Sequence, residues 1–265
     1  MTLIRSADNP RFKALLKLVQ SSRERKRAGL SVLDGVHLVA AYREHVGLPE
    51  ELVVSAAGSA AAEIRAIVGK AAPLEPVVLA DSLFAKLSSV ATPTGILGVV
   101  RTPRPEPVPP RTGPCLMLEE LQDPGNLGSI LRSAAAAAIP RVLLSKNAVQ
   151  AWSPRVLRAG MGAHFLLRIH EGVDLIAAAR LYEGRVIAAS QRAPRALYQE
   201  DLRGDAALVF GNEGGGVSEP LLAAAHAMVS IPMPGGTESL NVAAAAAVCL
   251  FERVRQLNQG LGARG

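Results

Sequence analysis

Aromatic side chains make up only 3% of the 265 residues. That scarcity argues against nucleic-acid binding through a run of aromatic platforms that stack successive bases. Cysteine is scarcer still. Cys115 and Cys249 each fall in an apolar segment with no second pair beside them, so they read as small core residues in a reducing compartment. No run of eighteen apolar residues is free of charges or polar breaks, and the N-terminus lacks the apolar core and cleavage site of a secretory signal. The expectation is a cytoplasmic chain with no membrane partner. The histidines at 37, 45, 164, 170 and 226 lack ligand spacing to one another, to cysteine or to a carboxylate cluster, and no metal is expected. The glycine run from Gly211 to Gly216 has neither the Lys-Ser/Thr ending of a phosphate loop nor the spacing of a dinucleotide fingerprint, which argues against an NTPase or a dehydrogenase.

What the chain does contain is apolar residues, at 49%, and positive charge, with a formal net charge of +6. The first can fill a sizeable core; the second favours an anionic partner, nucleic acid before membrane. Residues 1–45 hold nine Lys or Arg against four Asp or Glu, so the N-terminal segment carries most of the excess. Within it, residues 9–27 place Phe12, Leu15, Leu16 and Val19 on one face and basic residues on another. Asn9 is a capping residue and Pro10 suits a first turn, so the segment reads as one basic amphipathic helix.

Further along, short strands and helices alternate: strands at 30–33, 51–55, 77–80 and 96–100, with helices over 35–45 and 60–70 and from Asp81. This predicts a small α/β domain over residues 1–100. Residues 101–113 hold five prolines and read as a semi-rigid linker. From 114 to 265 a second alternation predicts strands at 115–119, 142–145, 165–169, 185–190, 207–210 and 228–231, with helices at 126–138, 153–160, 173–182, 218–226 and 239–257. The fold class is therefore α/β, with a mainly parallel sheet covered on both faces and ligands at the carboxyl ends of its strands.

Three loops share one layout of apolar strand, Pro/Gly turn and helix start. They follow Leu116–Leu118, Leu208–Phe210 and the stretch ending at Ile231, and Ser239 is the candidate cap of the last helix. Glycines before a helix N-terminus can bring main-chain N–H groups against a ligand. In the first loop Asn126 lies at the mouth of a helix that carries Ser129, Arg132 and Ser133 at three- and four-residue spacing.

Asn126-x-Gly128-x-x-x-Arg132, Gly211-Asn-Glu-Gly-Gly-Gly-Val-Ser218 and Ile231-Pro-Met-x-Gly-x-x-Glu-Ser-Leu-Asn-Val242 resemble, in order and separation, the three motifs of the SpoU (TrmH-type) RNA 2′-O-ribose methyltransferases. The N-terminal region, with its Asn9-Pro10-x-x-Lys13 start and Thr92-Pro-Thr-Gly-Ile96, is similar to the substrate-binding domain that precedes the catalytic domain in many of these enzymes. The resemblance implies a ribosomal-protein-like RNA-binding domain, for which Arg11, Lys13, Lys17, Arg23, Arg25, Lys26 and Arg27 are the candidates. It also implies a catalytic domain ending in a trefoil knot, an exception to unknotted chains. The knot would form the S-adenosylmethionine pocket at a homodimer interface.

By position, Gly211, Ile231 and Leu240 would meet the cofactor through backbone groups, with Glu213, Met233 and Asn241 around it. Arg132 would activate a ribose hydroxyl, from its own or the partner subunit, with Asn126, Glu213, Ser239 and Asn241 positioning it. A guanidinium is a poor base, so an alternative is that Arg132 holds a phosphate while water takes the proton. Two positions depart from the family pattern: Asp34 where Glu is usual before Gly35, and Gly160 where Ser is common. The implied activity is methyl transfer to a 2′-hydroxyl of structured RNA, rRNA before tRNA; a non-catalytic RNA-binding or ribosome-assembly protein is the competing reading.

Overall fold

Helix starts near the N-terminus follow the capping residues closely. The computed structural model describes residues 3–106 and 111–262, with side chains to 259; residues 107–110, inside the proline-rich linker stretch, lie outside them. Elements in the first part are β1 (Leu3–Ile4), α1 (Pro10–Gln20), α2 (Ser22–Ala28), β2 (Leu30–Asp34), α3 (Val36–His45), β3 (Glu51–Ser55), α4 (Ala62–Gly69), β4 (Val77–Leu79), α5 (Asp81–Leu87) and β5 (Ile96–Arg101). They form a mixed sheet of order β1-β4-β3-β5-β2. Two-residue β1 has too few positions for any alternation to show in the sequence; it pairs parallel to β4.

The single helix expected over 9–27 is two. Asn9 caps α1 by accepting the Arg11 N–H at 2.9 Å, and Phe12 and Leu15 are buried. At Ser21 the backbone turns extended (φ −118°, ψ 115°), and the Ser21 hydroxyl caps α2 by accepting from Glu24 N–H at 3.2 Å. Serine competes with the helix for backbone partners, so a Ser-Ser pair is a natural place to break one. Arg25 reinforces the break: its guanidinium donates to the Leu18 and Val19 carbonyls at 2.8 and 3.0 Å, near the end of α1. At 5% exposure Arg25 is a structural residue, which corrects its assignment to the RNA-binding surface. Arg11, Lys13 and Arg27 are exposed but paired with Glu51, Asp8 and Glu24, whereas Lys17, Arg23 and Lys26 stand exposed.

The second part holds β6 (Cys115–Leu118), α6 (Pro124–Ala136), β7 (Arg141–Ser145), α7 (Pro154–Gly160), β8 (Arg168–Val173), α8 (Leu175–Leu181), β9 (Arg185–Ala189), β10 (Ala206–Phe210), α9 (Glu219–Ala224), β11 (Ala227–Val229) and α10 (Val242–Gly262). Its sheet has the order β11-β9-β10-β6-β7-β8, with every pairing parallel. Central strands β6 and β10 are buried along their whole length, which is why they read as continuous apolar runs. Leu116, Met117 and Leu118 are fully buried, each stabilising the fold by roughly 1.5–3 kcal/mol relative to exposure. Burial also pushes both cysteine thiols up to about 12, so neither is a ready nucleophile.

Contacts divide the chain into two compact units, Met1–Pro103 with Trp152–Phe165, and Arg104–Ala151 with Leu166–Gly265. The segment 152–165, read from sequence as part of the second domain, thus groups with the first. Within that unit α7 packs on β2 and the Phe165 ring meets Tyr42 edge-on, centroids 5.3 Å apart. Asp34 has a defined task there: one carboxylate oxygen accepts from the Ser88 hydroxyl at 2.8 Å and from Ser89 N–H at 2.9 Å. In the second unit, α10 packs on α6 and is tied to the segment before β10. Gln256 donates to the Glu200 carbonyl (2.9 Å) and accepts from Leu202 N–H (2.8 Å).

Replacing Arg25 by Ala strips two charge-assisted bonds from the half-buried Leu18 and Val19 carbonyls. Chemical denaturation should show a loss of about 1–3 kcal/mol, with no comparable change for exposed Lys26→Ala; equal, small effects would mean that Arg25 does not secure the α1–α2 break.

Candidate active site

Strand order decides which loops can meet. In the parallel sheet β9, β10 and β6 are neighbours, so the segments leaving their carboxyl ends, after Ala189, Phe210 and Leu118, emerge side by side. The segment after β11 joins them because β11 pairs with β9. Ligands in open parallel sheets bind at this end, where neighbouring connections diverge.

The glycine-rich loop is shaped by its own backbone. Asn212 and Gly216 exchange two main-chain bonds (3.0 and 2.9 Å), and the Asn212 side chain accepts from Gly214 and Gly215 N–H while donating to the Glu120 carbonyl. A Cβ on Gly211 would stand 2.0 Å from the Gly216 carbonyl carbon and oxygen, so no other residue fits. Beside the loop lies a cavity of about 610 Å³. Gly211, Glu213, Ile231, Met233, Ser239 and Leu240, all expected from the sequence, line it.

Glu213 reaches out of that loop to the start of α6. Its carboxylate accepts from Gln122 N–H (3.2 Å), Asp123 N–H (3.1 Å) and the Asn126 amide (3.2 Å). Asn126 in turn accepts from the Asn241 amide at 2.9 Å. Asn241 closes the series: its side-chain oxygen accepts from Ala243 and Ala244 N–H and caps α10. The cap expected at Ser239 therefore falls two residues later, because the exposed Pro/Gly turn continues to Leu240. Three loops are thus joined through Glu213, Asn126 and Asn241. Partial desolvation raises the Glu213 pKa, but the backbone and amide N–H groups on its carboxylate outweigh that and hold it below the ordinary 4.5.

Arg132 and Ser129 are exposed on α6, and Arg132 is not among the residues lining the cavity. Sequence reading passed over Glu119, which bonds Ser218, and Asp123, whose carboxylate caps α6 by accepting from Asn126 N–H at 2.7 Å. It also passed over the Ser190–Arg192 wall of the cavity, although an apolar strand followed by a polar turn at the same end of the sheet was the available signal. Among the described residues, no group of three or more His, Cys, Asp and Glu could hold a metal ion, and no helix is long and apolar enough to cross a membrane.

A parallel α/β domain whose strand ends carry this cavity and these linked loops has the layout of a small-molecule-binding site. The sequence comparisons give the family. Residues 113–251 match the SpoU rRNA methylase family, to which the chain belongs, and residues 9–98 match the MRM3-like substrate-binding domain. An uncharacterized tRNA/rRNA methyltransferase of Synechocystis sp. is 32% identical over 263 residues, covering 96% of this chain and 93% of the relative. A 23S rRNA (guanosine(2553)-2′-O)-methyltransferase of Bacillus subtilis is 30% identical over 257 residues, covering 95% and 98%. The solved S-adenosylmethionine-bound rRNA methyltransferase of Sinorhizobium meliloti is 25% identical, with a TM-score of 0.83 over 97% of this chain and 98% of that one.

A folded-state carboxylate held below its unfolded pKa adds stability above the unfolded value and loses it as pH falls through the folded one. Wild-type protein should accordingly lose stability more steeply below pH 4.5 than Glu213→Gln, in thermal melts across that range; parallel curves would show that Glu213 gains nothing from its donors. Gly211→Ala should lower cofactor affinity at least ~100-fold by calorimetry, since the added methyl must displace main chain. Unchanged affinity would remove the loop from the binding site.

Proposed function

We propose that this protein transfers a methyl group from S-adenosylmethionine to a ribose 2′-hydroxyl of structured RNA, with rRNA the foremost substrate, and that it works as a cytoplasmic homodimer. The single observation that carries the reading is the Glu213–Asn126–Asn241 linkage beside the cavity. The cavity's residues suit the cofactor: Phe210, Val229, Ile231 and Leu240 offer apolar surface to a ring. Glu213, Glu219 and Glu238 face one Arg192, a negative balance that favours a cationic ligand.

When bound, S-adenosylmethionine supplies an activated methyl and its own leaving group. The protein's task is then to align the ribose oxygen and provide for its proton. Asn126 has its amide direction set at both ends, donating to Glu213 and accepting from Asn241, and so offers a rigid polar edge beside the cavity. Arg132 is exposed, and its guanidinium is suited to gripping a substrate phosphate or the oxygen as it loses its proton to water. In a homodimer the Arg132 of one subunit would serve the cavity of the other, which fits its place outside the cavity lining. The supply of exposed cations at Lys17, Arg23 and Lys26 suits an RNA backbone contact by the N-terminal unit.

Transfer of labelled methyl to rRNA and tRNA in vitro tests the reading. Labelling of rRNA is expected, and Arg132→Ala should lose at least ~100-fold in turnover while cofactor affinity changes less than about twofold. Labelling of tRNA alone would move the substrate. No labelling and no cofactor heat would favour a non-catalytic RNA-binding protein.

A further inference from the structure

The glycine-rich loop that lines the cavity starts and ends at one residue outside it. Glu119 follows β6, and its main-chain N–H donates to the Phe210 carbonyl at 2.9 Å, immediately before Gly211. Its carboxylate crosses to the far end of the same loop, where one oxygen accepts from Ser218 N–H and the other from the Ser218 hydroxyl, both at 2.7 Å. Both ends of the seven-residue segment 211–217 are thereby fixed to a single half-buried residue. Ser218 lines the cavity; Glu119 does not. The arrangement is reciprocal, since Glu213 within the loop fastens back to Gln122 and Asp123, three and four residues beyond Glu119.

We propose that Glu119 is a positioning residue for the cofactor. By spanning the loop's two ends it sets the spacing between Gly211 and Ser218, and hence the shape of the wall against which the ligand lies. The inference rests on the reading that this cavity takes S-adenosylmethionine. A carboxylate is suited to the role because Ser218 presents two donors, and two acceptor oxygens answer both. Glutamine at 119 would accept from Ser218 N–H with its oxygen and donate its NH₂ to the hydroxyl oxygen, so both contacts lose their charge assistance and the hold on the end of the loop weakens without apolar core being removed.

The test is calorimetric titration of S-adenosylmethionine into wild-type protein, Glu119→Gln, Ser218→Ala and the double variant, with a thermal melt of each. Glu119→Gln should bind about tenfold more weakly, the fold-change expected when charge-assisted bonds become neutral ones. Ser218→Ala should show a smaller loss, and the double variant should bind no more weakly than Glu119→Gln. Should Glu119→Gln fail to fold, affinity and melting midpoint of Ser218→Ala give the same contrast. A purely structural role would lower the melting midpoint and leave the affinity of folded protein unchanged; that result, or losses that simply multiply in the double variant, would overturn the proposal. Wild-type protein that takes up no cofactor would overturn the reading of the cavity and the proposal with it, whereas equal binding by wild type and variants overturns the proposal alone.

Discussion

Everything at the candidate site depends on one directed series of hydrogen bonds, from Asn241 to Asn126 to Glu213. An ionised carboxylate only accepts, so Asn126 must turn its NH₂ toward Glu213 and its oxygen toward Asn241. Asn241 must then donate with its own NH₂ and leave its oxygen for the first turn of α10. The direction of every amide is set by the charge at one end. Because the three residues come from three loops, the same bonds that orient the side chains also hold the loops together. A neutral or absent side chain at 213 would remove the reference from which the other two take their orientation.

The sheet makes this series possible at little cost. Parallel strands in the order β9-β10-β6 deliver successive loops to one edge, and fully buried β6 and β10 leave those strand ends little freedom to shift. Apolar side chains from Phe210, Val229 and Ile231 share the cavity with the carboxylates of Glu213, Glu219 and Glu238, while the amides of Asn126 and Asn241 meet at the start of α6. The C-terminal helix contributes its cap to the site and its body to α6, so binding chemistry and packing meet on one element.

Much of this was legible in the chain because its signals are local. Alternation of apolar runs with helix starts predicted nearly every strand within a residue or two, and the motifs brought Gly211, Glu213, Ile231, Met233, Ser239 and Leu240 to one cavity. What escaped depended on contacts across the sequence. Arg25 looks like its basic neighbours until the fold turns it under α1. Asn241 and Ser239 are both good capping residues, and only the length of the preceding turn decides between them. Glu119 sits in an ordinary strand end, 99 residues from the serine it holds. The grouping of 152–165 with the N-terminal unit reflects side-chain packing at Tyr42 and Phe165, which no periodicity announces.

A crystal structure of the protein grown with S-adenosylmethionine would test the central claim most directly. The expected result is cofactor density in the cavity bounded by Gly211, Ile231 and Leu240, its methyl facing Asn126, with the Glu213–Asn126–Asn241 bonds intact. Density bound elsewhere on the chain, or a filled cavity with Asn126 parted from both neighbours, would contradict it.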